Sequence, residues 1–208
     1  MVKLKKGQSK EKVRLSQREK IVKYLIENKT PQSIRTISGA VLLDYKNTYS
    51  IIQEYQQGII SKEKIGNTNL IKLKLAPSQD IYLVEDKRTQ EFLSKNPKLK
   101  IVKTYIEELN YPFLIVLVFG SYVKETKTKS SDIDICIILD NKDKIKELEE
   151  KLSLLSLNLE IHEFTTKEFI SMIEKTQNNL GHEIIKSNII LYGIENYYNL
   201  ISKWMKKE

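Results

Sequence analysis

A chain of 208 residues has room for one large domain or two small ones. Its 40% hydrophobic and 30% charged residues suit a protein with a packed core and exclude a disordered chain, while a single cysteine, Cys136, excludes an internal disulfide or a cysteine-based zinc cluster. The net charge of +8 is unevenly held: residues 1–88 carry 18 Lys and Arg against 9 Asp and Glu, and residues 89–208 carry 17 against 18, so the basic excess lies wholly in the first part, as suits a module that meets a polyanion.

From the N-terminus, Met1 to Arg14 is Lys-rich without the apolar stretch of a signal peptide. The longest apolar run, Pro112 to Phe119 with its flanks, is about ten residues, far short of a membrane span. No membrane partner is expected, and the cytoplasm is the expected compartment. Ser16 followed by Glu19 forms a capping pattern that opens a helix, with Ile21, Val22, Leu25 and Ile26 on one face. Thr30-Pro31 stops it, and Pro31 is placed to open a second helix over residues 33–40. A third helix is predicted over residues 47–57, with Gly58 supplying the positive φ of a helix end. Two alternating segments, 59–65 and 70–75, then flank Gly66-Asn67-Thr68-Asn69, the composition of a hairpin turn.

Three helices and a basic hairpin in this order resemble a winged helix-turn-helix over residues 14–76. The resemblance implies DNA as a partner, with Lys46, Asn47, Thr48, Ser50 and Gln53 facing the major groove and Lys62, Lys64 and Lys72 neutralising phosphates. The third helix has no arginine, the commonest reader of guanine. A linker is expected near residues 77–88, where Pro77 precedes the charged run Glu85-Asp86-Lys87-Arg88, although Ile81, Tyr82, Leu83 and Val84 have the composition of one more strand. Between Thr89 and Leu109 apolar residues recur at helical spacing, broken by Pro97 into a short helix and a longer one.

Residues 113–119, Phe-Leu-Ile-Val-Leu-Val-Phe, read as a strand buried on both faces. It leads into Gly120-Ser121-Tyr122-Val123-Lys124 and then Ser130-Ser131-Asp132-Ile133-Asp134. Residues two apart on a strand share a face, so Asp132 and Asp134 are expected to project together, an arrangement that calls for a cation between them. Magnesium prefers such hard oxygen ligands, and a glycine beside a serine lets backbone and hydroxyl groups approach a phosphate. The pieces suit in-line attack on a nucleoside triphosphate.

The spacing Gly-Ser, ten residues, Asp-x-Asp resembles that of the DNA polymerase β-like nucleotidyltransferase superfamily. Gly120, Ser121, Asp132 and Asp134 match it position by position. The resemblance implies two magnesium ions, which manganese can replace, and a third carboxylate from a later strand. Glu160 is the first candidate, because Leu157, Leu159 and Ile161 alternate with Asn158, Glu160 and His162; Glu163 competes if the strand is shifted or bulged. His162 is on the same nominal face as Glu160, in a position to assist. Gly120, Ser121, Lys124 and Ser131 are the candidate nucleotide-binding residues, with Lys127 and Lys129 as further candidates for the triphosphate. Many relatives have glycine after the basic residue, where this chain has Glu125.

The remaining chain reads as helices over 142–155 and 166–173, and a helical region over 182–198 interrupted near Gly193. Tyr197 and Tyr198 are assigned to packing, and Trp204 to a terminal helix docking on a neighbour, with a homodimer in view. The fold class expected is α+β: a winged helix-turn-helix in residues 1–80, then a nucleotidyltransferase fold in residues 89–208, a small mixed sheet flanked by helices. Small relatives of this kind modify a HEPN-type protein partner, and the resemblance implies such a partner here. A nucleotide-sensing transcription regulator without turnover is the alternative reading.

Overall fold

The computed structural model describes residues 13–56, 58–128 and 130–205, without the side chains of Trp204 and Met205. Lys129 and the Trp204 side chain, both singled out in the sequence, lie outside the described residues. Helix α1 (Gln17–Glu27) begins as the sequence predicts: Ser16 Oγ accepts from the Glu19 amide while the Glu19 carboxylate accepts from the Ser16 amide. Its Ile21, Val22, Leu25 and Ile26 are all buried, each contributing ~1.5–3 kcal/mol relative to an exposed side chain. Pro31 does not open the next helix. Gln32–Ser33 instead form a two-residue strand β1, and Ser33 caps α2 (Ile34–Val41) through its hydroxyl.

Helix α3 (Tyr45–Tyr55) starts two residues earlier than expected because Asp44 caps it, accepting from the Asn47 amide. It ends on Gln56 in right-handed conformation, and Gly58 is not among the glycines with positive φ. Strands β2 (Ile60–Ile65) and β3 (Thr68–Leu73) form the hairpin around Gly66, whose φ of 58° the two-residue turn requires. With β1 they make a three-stranded antiparallel sheet in the order β1-β3-β2.

The stretch expected as linker or strand is helical. Helix α4 (Gln79–Lys95) runs through it for 17 residues, burying Ile81, Val84, Glu85, Arg88, Thr89 and Phe92 at intervals of one helical turn or its fraction. The longer helix therefore precedes Pro97, and the shorter, α5 (Leu99–Leu109), follows it. Helix α4 packs on α1 at one side and on the second sheet at the other. Its charged run carries that contact: Arg88 donates to the carboxylates of Glu85 and Glu27 and to the Asn188 carbonyl, and Tyr198 Oη donates to Glu85 at 2.7 Å.

The second sheet comprises β4 (Ile115–Val118), β5 (Ile133–Ile138), β6 (Leu159–Phe164) and β7 (Ile189–Tyr192) in the order β6-β5-β4-β7. Only β5 and β6 run parallel, joined by α6 (Lys142–Ser153). Strand β7 lies in what the sequence suggests is helix. Its four residues are too few to display an alternation, and the flanking α8 (Leu180–Lys186) and α9 (Ile194–Met205) set the apparent period. Helix α7 (Thr166–Ile173) follows β6, with Thr165 and Glu168 forming its capping box.

Alternation on β4 divides the core. Leu114, Val116 and Val118 face α5 and α6, whereas Ile115, Leu117 and Phe119 join Cys136, Phe169, Tyr197, Tyr198 and the N-terminal helices in one continuous apolar cluster. None of the described helices is long and apolar enough to cross a membrane.

Candidate active site

Four chain segments meet at one end of the second sheet: the end of β4 and the starts of β5, β6 and β7. Strand β4 gives way at Gly120 to a single 3-10 turn, Gly120–Tyr122. Gly120 has φ 68°, and a Cβ there would sit 1.9 Å from Asp134 Oδ2. Only glycine lets the turn close over that carboxylate. The Ser121 amide donates to the carboxylate, while the Phe119 amide donates to the Asp134 carbonyl at 3.1 Å. Burial and the neighbouring Glu160 charge hold the Asp134 carboxyl above its ordinary range, opposed by the amide and His162.

The parallel register places Asp134 beside Glu160 and Cys136 beside His162. One ligand atom from each of Asp134, Glu160 and His162 lies within 4.8 Å of the others. His162 Nε2 is 3.3 Å from Glu160 Oε1, and its ring packs on Phe119 at 5.4 Å between centroids. The imidazole is thereby held between an apolar wall and the carboxylate. Sequence alternation had put Glu160 and His162 on one face; the seat that Phe119 provides was hidden, because it depends on which strands are neighbours.

Asp132, expected to project with Asp134, is not grouped with Asp134, Glu160 and His162. Strand β5 begins at Ile133, whose amide donates to Asn158 at 2.8 Å; Asp132 precedes the ladder and is exposed. It lines a shallow cleft with Leu157, Asn158, Leu159 and Glu160. Glu163 faces the other side of β6, where a hydrogen bond with Glu149 and burial push its carboxyl up to about 7. The competitor to Glu160 is thus directed away from the cluster.

The other predicted nucleotide ligands are dispersed. Ser131 Oγ accepts from the Thr128 amide at 2.8 Å and so closes the loop before β5. Lys124 is exposed, 3.6 Å from Glu183, and Lys127 lies over the Tyr122 ring at 4.4 Å. In the N-terminal half, Thr48 cannot face a groove: it is fully buried, and its hydroxyl donates to the Asp44 carbonyl. Asn47 is half-buried and donates to Gln17, and the Gln53 amide nitrogen is buried. Lys46 and Ser50 are exposed on α3, beside the stacked rings of Tyr45 and Tyr49. Lys62 and Lys64 share one face of the hairpin, while Lys72, paired with Ser61, lies on the other.

The two carboxylates and the imidazole form a donor set with the spacing of a cation site. Their oxygens suit magnesium or manganese, and His162 restrains Glu160 from the side. No curated protein matches the chain. Residues 100–197, which contain the Gly120 turn and all three cluster residues, match the protein family described as Polymerase beta, Nucleotidyltransferase, and this supports a nucleotidyltransferase domain of the DNA polymerase β-like superfamily in that part of the chain.

Proposed function

We propose that the chain moves a nucleoside monophosphate from a nucleoside triphosphate to a hydroxyl of an acceptor, read as a protein of HEPN type. The observation that carries this reading is the closure of the Gly120 turn over Asp134, with Glu160 and His162 beside it. In the transfer, a bond forms between the acceptor oxygen and the α-phosphorus, the α–β phosphate bridge breaks, and pyrophosphate leaves. The acceptor proton passes to a carboxylate, for which the half-exposed Glu160, steadied by His162, is the candidate. The Ser121 hydroxyl holds a phosphate oxygen, its amide being taken by Asp134. Asp134 and Glu160 would hold magnesium or manganese, Asp132 adding a carboxylate from the adjoining cleft. When bound there, the cation supplies the positive charge that neutralises the attacking and leaving oxygens.

The test is label transfer in cell extract from each of the four α-labelled ribonucleotides, with magnesium or manganese. Label is expected on a protein band, and chelation of the metal is expected to abolish it. Label on RNA would assign a different acceptor. Nucleotide binding without any transfer would replace this reading with the nucleotide-sensing regulator.

The N-terminal half is read as a winged helix-turn-helix that binds DNA, supported by three helices followed by the β2–β3 hairpin and by the basic excess in residues 1–88. The accessible candidates reduce to Lys46 and Ser50 on α3 and Lys62 and Lys64 on the hairpin, with Lys72 on its far side. Anisotropy titrations of duplex DNA against salt should give a negative logarithmic slope. Each of Lys46→Ala and Lys62→Ala should reduce its magnitude by about 0.9. An unchanged slope in both variants, or no binding at low salt, would remove DNA from the reading.

A further inference from the structure

A second cleft opens beside the Gly120–Tyr122 turn, with Tyr122 in its wall. It has a volume of about 740 Å³ and lies between α1, α4, the loop after the turn, and the α8–β7 connection. None of Asp132, Asp134, Glu160 or His162 lines it. Its walls carry seven Lys and Arg side chains and three Glu among the described residues. The three carboxylates are already engaged: Glu27 with Arg88, Glu91 with Lys23 and Lys95, and Glu125 with Lys95.

Among the described residues three lysines of the cleft, Lys29, Lys127 and Lys186, have no carboxylate partner, and a fourth, Lys124, has one outside the lining; they come from separate segments. Lys29, just beyond α1, donates to the Ile185 carbonyl, and burial pulls its ammonium down to about 8. Lys127 donates to Asn96 and caps the Tyr122 ring. Lys124 reaches only the exposed Glu183, at 3.6 Å. Lys186, at the end of α8, has no ion-pair partner among the described residues. Converging like charges repel one another and lose hydration in a concave wall, so the arrangement is costly when empty and favours a compact anion.

We propose that this cleft binds a ligand bearing several linked phosphates, at a site separate from the candidate transfer centre and independent of transfer itself. Its lysines without a carboxylate partner, Lys29, Lys127 and Lys186, oppose the negative charge that linked phosphates carry near neutral pH. Its volume falls within the range of small-molecule sites. Because Lys29 follows α1 while Lys124, Lys127 and Lys186 belong to the second half of the chain, a bound polyanion joins the two halves by charge-assisted hydrogen bonds.

The probe is inorganic tripolyphosphate, titrated into the full chain with EDTA present and followed by calorimetry and by thermal unfolding. Saturable binding and a rise in Tm are expected. Lys186→Gln and Lys127→Gln, both at accessible positions, should each weaken binding about tenfold. Lys29→Gln should do the same where its unfolding profile shows that it folds. Asp134→Asn should bind as the unsubstituted chain does. The proposal is overturned if tripolyphosphate does not saturate, if Lys186→Gln and Lys127→Gln leave binding unchanged, or if a single-stranded oligonucleotide without a terminal triphosphate binds more tightly.

Discussion

Asp134→Asn is expected to lower nucleotidyl transfer about a thousand-fold, because it removes a charged oxygen whose electrostatic contribution is worth several kcal/mol in the transition state. Gly120→Ala should reach a loss of about a hundred-fold or more by another route. Its Cβ would collide with Asp134 Oδ2 at 1.9 Å, and a displacement of the carboxylate by ~1 Å is enough for that loss. The two variants differ in stability. Asparagine preserves the shape of Asp134 and should leave the unfolding midpoint close to that of the unsubstituted chain. Alanine at a φ of 68° costs ~1–2 kcal/mol from its own backbone. Single-turnover label transfer beside urea unfolding separates the two effects. Retention of more than about a tenth of the transfer rate by Asp134→Asn would dismiss the cluster as the reacting centre.

The largest stability change is expected at Arg88. Its side chain is 6% exposed, and the Glu85 side chain it contacts is 1% exposed. Arg88→Ala leaves the Glu85 carboxylate buried with Tyr198 Oη as its remaining close donor and strands the Asn188 carbonyl. Removing one partner of such a pair costs ~3–5 kcal/mol, a large part of a typical domain's total stability. Replacing both groups together, as Glu85→Leu with Arg88→Met, should cost markedly less, since no uncompensated charge remains. A double-mutant cycle by denaturant unfolding measures the coupling. If both single variants and the pair all unfold at the original midpoint, the network contributes nothing and α4 is held by its apolar residues alone.

These two residues also show where sequence reasoning stopped. Glu85-Asp86-Lys87-Arg88 has the composition of a solvated linker, yet Glu85 and Arg88 are one helical turn apart and both face inward, where each neutralises the other. Composition averages over the run; burial acts on single positions. By contrast, the Ser16–Glu19 cap and the continuous apolar run before Gly120 were legible because local chemistry alone decides them. The pairing of Glu160 with Asp134 rather than Glu163 was legible from alternation, since a strand face is fixed by residue parity. What alternation did not supply was the starting point of β5. The ladder begins one residue after Asp132, which leaves that residue exposed just before the strand. Strand β7 was hidden for a related reason, being held by its pairing with β4 rather than by any local pattern.

The chain's single thiol follows from the same parity. Cys136 is two residues from Asp134 on the same face of β5, fully enclosed, with burial pushing its thiol pKa upward. In that state it is a poor nucleophile, sheltered from reagents that attack thiolates. Its alkylation therefore waits for β5 to part from β4 and β6, and the labelling rate is a clock for that opening. The molecule carries its own reporter, one residue pair from the carboxylates, which is silent while the sheet is closed.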